Sequence, residues 1–296
     1  MSANISITPA PLMQSSWGDG LQPTKPQPGL YIVATPIGNL RDITLRALDI
    51  LSAADIILAE DTRQTAKLLN AYNIKARLTA YHDHNAAKQI PFVLDALESG
   101  KIVAQVSDAG TPLVSDPGFK LVRAAADAGH DVIPIPGASA LLAGLMSAGL
   151  PSDQFMFAGF LPAKMAARKR SLRTLKNTPA TLILFESGNR LQGSLEDMIE
   201  TLGDRRAVIA RELTKKYEEL RRGLLSELLS SAASNPPKGE IVILIAPPEG
   251  GTLWSEAQID QALKEHIPEL GVKRASSKVA ELSGWAKRDV YQRALS

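Results

Sequence analysis

The chain has 296 residues, 45% of them hydrophobic, with 33 Lys and Arg against 31 Asp and Glu, and no cysteine. That length allows about two domains with real cores, the near-neutral balance makes no case by itself for a polyanionic partner, and the missing thiols exclude disulfides, thiolate metal sites and a cysteine nucleophile. No apolar run reaches the roughly 18 residues of a membrane span, and no basic-then-apolar leader opens the chain, which reads as cytoplasmic.

Residues 1–28 carry five prolines without apolar periodicity and are expected to form a disordered tail. From Leu30, short β-branched runs alternate with helical stretches: "LYIVAT", "TLRALDILSAA", "DIILAE", "TRQTAKLLNAY", "KIVAQVS", "FKLVRAAADAG", "DVIPIP" and "ASALLAGLMSAG". Alternation of this kind predicts an α/β domain at 29–152 with a largely parallel sheet. After "LPSDQ", a second α/β domain is expected at 153–247. Its strands are "FMFAGF", "TLILFES", "AVIARELT", "YEELRRG" and "EIVILIA", and its helices span about 164–177, 189–202 and 223–234. Several of these strands follow one another directly, which predicts a mixed sheet. A Pro/Gly linker at 248–255 leads to a helical module at 256–296, where Ala280, Gly284 and Val290 occupy the small, turn and apolar positions of a helix-turn-helix unit. Lys273, Arg274, Lys278, Lys287, Arg288 and Arg293 there outnumber the acids, as a nucleic-acid contact would require, though a plain helical cap fits nearly as well.

Three Gly/Pro stretches follow three strands: "TPIGN" (35–39), "SDAGTPLVSDPG" (107–118) and "PIPGAS" (134–139). Each alone is an ordinary turn. Together, at the carboxyl ends of strands, they can converge on one ligand. The second either winds a turn or cradles a ligand, with Ser115 or Asp116 as cap and Pro117 in the first turn of the helix that follows. No G-x-G-x-x-G, Walker or H-E-x-x-H fingerprint is present. His82 and His84 flank Asp83, but with no third ligand in sight no metal is assigned. Asn85 is a good cap for the next helix. The run "PAKMAARKRSLRTLK" (162–176) has six cations and no acid, which favours phosphate contact over a solvated face.

The series "LYIVATPIGNLRDITLRAL", "AEDTR", "HDHN", "VSDAGTPLVSDPG", "PGASA", "GFLPAK", "FES", "ARELTK" and "KGEIVIL" resembles the ribosomal RNA small subunit methyltransferase I family, which is similar in fold to the tetrapyrrole methylases. The resemblance runs over about residues 29–247 and extends to the C-terminal helices. It implies a two-domain tetrapyrrole methylase-like fold and a homodimer that holds S-adenosylmethionine between the domains of each chain and 2'-O-methylates a cytidine ribose of 16S rRNA. By position it implies cofactor contacts at Pro36, Asp108, Gly110, Thr111, Ser139, Ala140, Phe185, Ala210, Leu213 and Gly239. Arg63, His82, His84, Arg168, Lys169, Arg170 and Arg173 are the expected RNA contacts. Asp61, His82, His84, Glu186 and Glu212 are candidate bases, while Arg63, Lys164, Arg211 and Lys215 are candidate cationic stabilisers. Lys164 and Lys215 are favoured as catalytic because each follows a motif at a strand end. Porphyrin-branch methylases have a more Gly-rich first loop and G-D-P in the second, so "TPIGN" and "SDAGTP" favour the RNA branch. The competing readings are a tetrapyrrole or other small-molecule methylase and an RNA-binding assembly factor with a vestigial cleft.

Overall fold

The computed structural model of the chain describes residues 25–248 and 254–295, so most of the expected tail and the middle of the expected linker lie outside it. The described chain divides into two compact units. One runs to Ala143 and reclaims Leu213–Lys216, and the other holds Gly144–Glu212 and the chain from Tyr217 onward.

In the first unit, β1 (Gly29–Val33), β2 (Ile56–Ala59), β3 (Leu78–Ala80), β4 (Ile102–Val106) and β5 (Val132–Ile135) form a sheet of order β3-β2-β4-β1-β5. All its pairings are parallel. Near-continuous apolar strands are what such a sheet needs, because both its faces are covered. Leu30, Ile56, Leu58 and Val103 point to one face, where they meet α3 (Ala86–Glu98) and α4 (Phe119–Asp127). Tyr31, Val33, Ile57, Ala59, Ala104 and Val106 point to the other, under α1 (Leu45–Ala53) and α2 (Thr62–Ala71). Thr44 starts α1 by accepting from the Ala47 N–H at 3.2 Å, and Asp61 starts α2 by accepting from the Arg63 N–H at 2.8 Å. The helix α5 (Ala140–Ala148) carries the chain across the unit boundary.

The second unit has the mixed sheet β6-β7-β10-β8-β9, built from β6 (Phe155–Phe160), β7 (Thr181–Ser187), β8 (Arg206–Arg211), β9 (Glu219–Leu224) and β10 (Glu240–Ile245). β6 and β7 are parallel, while β10 runs antiparallel to both β7 and β8. α6 (Met165–Leu175), α7 (Gly188–Leu202) and α8 (Leu225–Ser234) bury Leu172, Leu195, Met198 and Leu228 against Leu182, Leu184, Ile209 and Ile243. At the C-terminus, α9 (Glu256–Ser283) breaks at Gly271 and α10 (Lys287–Arg293) folds back on it around Ile259, Leu263, Val279 and Val290. Gly284 makes the left-handed turn between them, and the Arg293 guanidinium binds both Asp260 oxygens at 2.6 and 2.8 Å. No helix among the described residues is long and apolar enough to cross a membrane.

Candidate active site

Parallel strands deliver all their following turns to one sheet edge, and in the first unit the three Gly/Pro stretches meet there. Thr35 and Gly110 exchange both backbone hydrogen bonds, at 2.8 and 3.0 Å. The Thr111 hydroxyl donates to the Ala138 carbonyl at 3.2 Å. Gly110 has φ +82, and a Cβ there would lie 3.1 Å from the Ile37 side chain, so the close approach of the first two loops depends on its being glycine. The expected ligand residues Pro36, Asp108, Gly110, Thr111, Ser139 and Ala140 are therefore brought together. The segment 213–216 joins them: the Asn39 N–H donates to the Thr214 hydroxyl at 3.1 Å, and the Lys215 side chain lies directly over Gly38. Leu213 is buried at the head of this segment.

The second half of the long loop corrects the expected cap. Neither Ser115 nor Asp116 starts α4; its cap residue is Gly118, at φ +141, with no side-chain cap bond. The reason is Gln105, whose amide donates to the Pro117 carbonyl at 2.9 Å and fills the space a Gly118 Cβ would take. Ser115 and Leu113 both have positive φ, so the loop is strained as well as tightly wound. Asn85 does occupy the cap position of α3, but its side chain accepts from the His82 N–H and donates to the Ala80 carbonyl, closing the preceding turn.

Two adjacent carboxyls behave oppositely. Asp61, a candidate base, is held at about 2 by its hydrogen bonds to the Arg63 side chain and N–H, which makes it a poor proton acceptor. Its N–H donates to the exposed Asp108 carboxylate at 3.0 Å. Glu60, not singled out in the sequence, is pushed up by burial and then by Asp116, Asp108 and Asp83. Burial also raises Asp116, against a Ser107 hydrogen bond that lowers it. The expected RNA contacts His82 and His84 lie with rings 5.9 Å apart, edge to face, and Arg63 is exposed beside Asp61. No group of His, Asp and Glu among the described residues could hold a metal ion.

In the second unit the register aligns Phe185, Val242 and Ala210 in one row across β7, β10 and β8, so two of the expected cofactor residues are two strands apart on the same sheet. The expected Gly239 sits just before β10, against the Glu212 carboxylate, which accepts from the Glu240 N–H at 3.1 Å. Glu186, another candidate base, is buried and engaged: it accepts from the Ser194 hydroxyl at 2.6 Å and the Ser187 N–H at 2.8 Å, and lies 3.3 Å from the Arg190 guanidinium. Lys164, exposed, is the cap residue of α6.

The six cations around α6 do not all face water. Arg168 is buried, paired with Asp197 of α7 at 2.6 Å, and donates to the carbonyls of Ala163 and Gly193. Lys169 pairs with Glu200 at 2.6 Å and with Asp197 at 3.5 Å. The acids that balance them come from another helix, so the run alone could not disclose them. Arg170 and Arg173 remain exposed, and neither pairs with an acid among the described residues.

The family described as Tetrapyrrole (Corrin/Porphyrin) Methylases matches residues 29–229, and the RsmI C-terminal HTH domain matches 255–296. The chain is 52% identical to the ribosomal RNA small subunit methyltransferase I of Mesorhizobium japonicum over 92% of this chain and 94% of that protein. It is 46% identical to the protein of the same name in Escherichia coli O157:H7, over 90% and 94%. The chain belongs to the ribosomal RNA small subunit methyltransferase I family. This family membership also accounts for the fold. A cobalt precorrin-4 methyltransferase covers 73% of this chain and 94% of its own, with TM-score 0.55 at 20% identity. Diphthine synthase covers 73% and 89%, with TM-score 0.56 at 17% identity.

A methyltransferase of this family needs a methyl donor, and the residues present fit a small amphiphilic one. In the first unit, backbone groups of three loops come close at Gly110, and Asp108 presents an exposed carboxylate beside them. In the second, the Phe185 ring is packed edge to face with Phe157 and Phe160, in one row with Val242 and Ala210 on the strands beyond.

Proposed function

We propose that this protein transfers a methyl group from S-adenosylmethionine to the 2'-oxygen of a cytidine ribose in 16S ribosomal RNA, working as a homodimer in the cytoplasm. The observation that carries the reading is the stitching of loops 34–39, 107–118 and 134–139 to one another and to the 213–216 segment, in a chain of this family. The donor contacts implied by the family resemblance are Pro36, Asp108, Gly110, Thr111, Ser139, Ala140, Leu213, Phe185, Ala210 and Gly239. When bound, S-adenosylmethionine supplies a methyl group already activated on a sulfonium centre. The protein's own task is to align a ribose hydroxyl and favour its deprotonated form.

Lys164 and Lys215 serve that task as cations that stabilise the developing oxyanion. Asp61 does not act as base, because Arg63 holds its proton affinity down. Arg170 and Arg173 take RNA phosphates, with His82, His84 and Arg63 as further contacts, while Arg168 and Lys169 brace α6 from within. A small-molecule substrate would give the exposed cations of α6 and of the C-terminal module no role.

The test is incubation with labelled S-adenosylmethionine and either small ribosomal subunits or bare 16S RNA, followed by nuclease mapping of the label. Label on a cytidine ribose is expected; label in a base, or none in RNA, overturns the reading. Asp108→Ala is expected to lose donor affinity by about tenfold or more in calorimetry while RNA affinity stays unchanged, since a hydrogen bond to a charged group is worth about 1.5–3 kcal/mol.

A further inference from the structure

Phe160 ends the edge strand β6 and is 58% exposed, as are Phe155 and Met156 at the start of the same strand to a lesser degree. Its orientation is fixed from behind: Phe185 meets it edge to face at 5.5 Å and is itself packed on Phe157 at 4.8 Å. The residues that follow are fixed as well. The Arg190 guanidinium donates to the Leu161 carbonyl at 2.5 Å and that of Arg168 to the Ala163 carbonyl at 3.3 Å. Each arginine is anchored by a buried carboxylate, Glu186 for Arg190 and Asp197 for Arg168. Two ion pairs placed in a protein interior are costly devices for holding a surface turn, and what they hold is an open aromatic face followed four residues later by the exposed Lys164. A rigid, exposed aromatic ring is the platform on which unstacked bases of single-stranded RNA are taken.

We propose that the exposed face of Phe160 is the stacking platform for an unpaired pyrimidine of the RNA substrate, with Arg168 and Arg190 acting as positioning residues for the turn that follows it. The proposal rests on the reading that RNA is the substrate. It adds a base-contact site to a surface from which only phosphate contacts were expected. The ring's fixed pose means that little ordering is left to be done on binding, which favours affinity. Because stacking is indifferent to the ribose, it also leaves the 2'-oxygen uncommitted.

The experiment uses the full-length protein and fluorescence anisotropy, comparing a labelled oligocytidylate with an abasic oligomer of the same length. The wild type is expected to bind the oligocytidylate about 10- to 100-fold more tightly, as stacking on one aromatic provides. Phe160→Ala is expected to erase that preference, and Phe160→Tyr to restore it, with S-adenosylmethionine affinity unchanged in both. Preference retained in Phe160→Ala overturns the proposal. So does a loss of donor affinity equal to the loss of RNA affinity, which would make the ring only a prop for Phe185. A change in sedimenting mass in Phe160→Ala would assign the face to a second copy of the chain instead. If the wild type methylates no RNA and binds neither oligomer, the RNA reading itself fails; if it methylates RNA and Phe160→Ala keeps the preference, only the stacking site fails.

Discussion

The two units hold their site residues by different means. The first uses backbone: glycines, prolines and main-chain hydrogen bonds between loops, with Gly110 and Gly118 at the points of closest approach. The second uses side-chain charge: Glu186 with Arg190, and Asp197 with Arg168, set into the packing of α6 and α7 and bonded to the carbonyls of the turn before α6. Backbone cradles suit a ligand gripped through many small contacts. Buried ion pairs suit a turn that must keep its shape beside a flexible polymer.

The comparison can be broken most severely in the second unit. Asp197→Ala leaves the Arg168 guanidinium buried without a counter-charge, and urea unfolding should show a loss of about 3–5 kcal/mol, whereas Arg168→Met combined with Asp197→Leu should lose far less. In the first unit, Gly118→Ala adds a Cβ into the Gln105 amide at a backbone angle that L-residues rarely adopt, for an expected loss of about 1–3 kcal/mol in the same measurement. Equal losses for the charge deletion and the charge-free double replacement would show that the second unit relies on shape, as the first does.

Smaller effects separate the cations of α6. Arg170→Glu with Arg173→Glu should flatten the salt dependence of RNA binding by about 0.7 in log–log slope for each phosphate that is no longer neutralised. Lys169→Ala should leave that slope unchanged, because its charge is already taken by Glu200 and Asp197. The mildest effect belongs to Glu60. Folding raises its proton affinity, so its ionised form opposes folding. That opposition is absent below its unfolded value of about 4.3 and grows as pH rises through the folded one. Glu60→Gln is therefore expected to raise the melting temperature at pH 7.5 and to leave it unchanged at pH 4, as scanning calorimetry would read.

How much of this the sequence disclosed follows the same division. The strand order is not written in the chain, but the alternation of apolar runs with helical stretches predicted a parallel sheet and then a mixed one, and both are present. The meeting of "TPIGN", "SDAGTP" and "PIPGAS" was legible because Gly and Pro declare unusual backbone locally. Charge partners were not. Asp197 and Glu200 lie a helix away from Arg168 and Lys169, and Glu60 feels carboxylates from two other loops. The cap of α4 was missed because what dictates it is the Gln105 side chain, thirteen positions earlier on β4. Phe160 read as one apolar residue in "FMFAGF", since exposure is a property of where β6 ends.

The excursion of Leu213–Lys216 into the first unit has a consequence for the order of assembly. The turn at Gly38 and Asn39 gains its bond to Thr214 across 175 positions, and Glu212 and Thr214 both adopt positive φ to make the detour. As the nascent chain leaves the ribosome, the first sheet can pair as soon as β5 has emerged. The loop that follows β1 must nevertheless wait, unlatched, until β6, β7 and β8 of the second sheet have been translated, so the last piece of the amino-terminal unit to lock is supplied from well beyond the middle of the message.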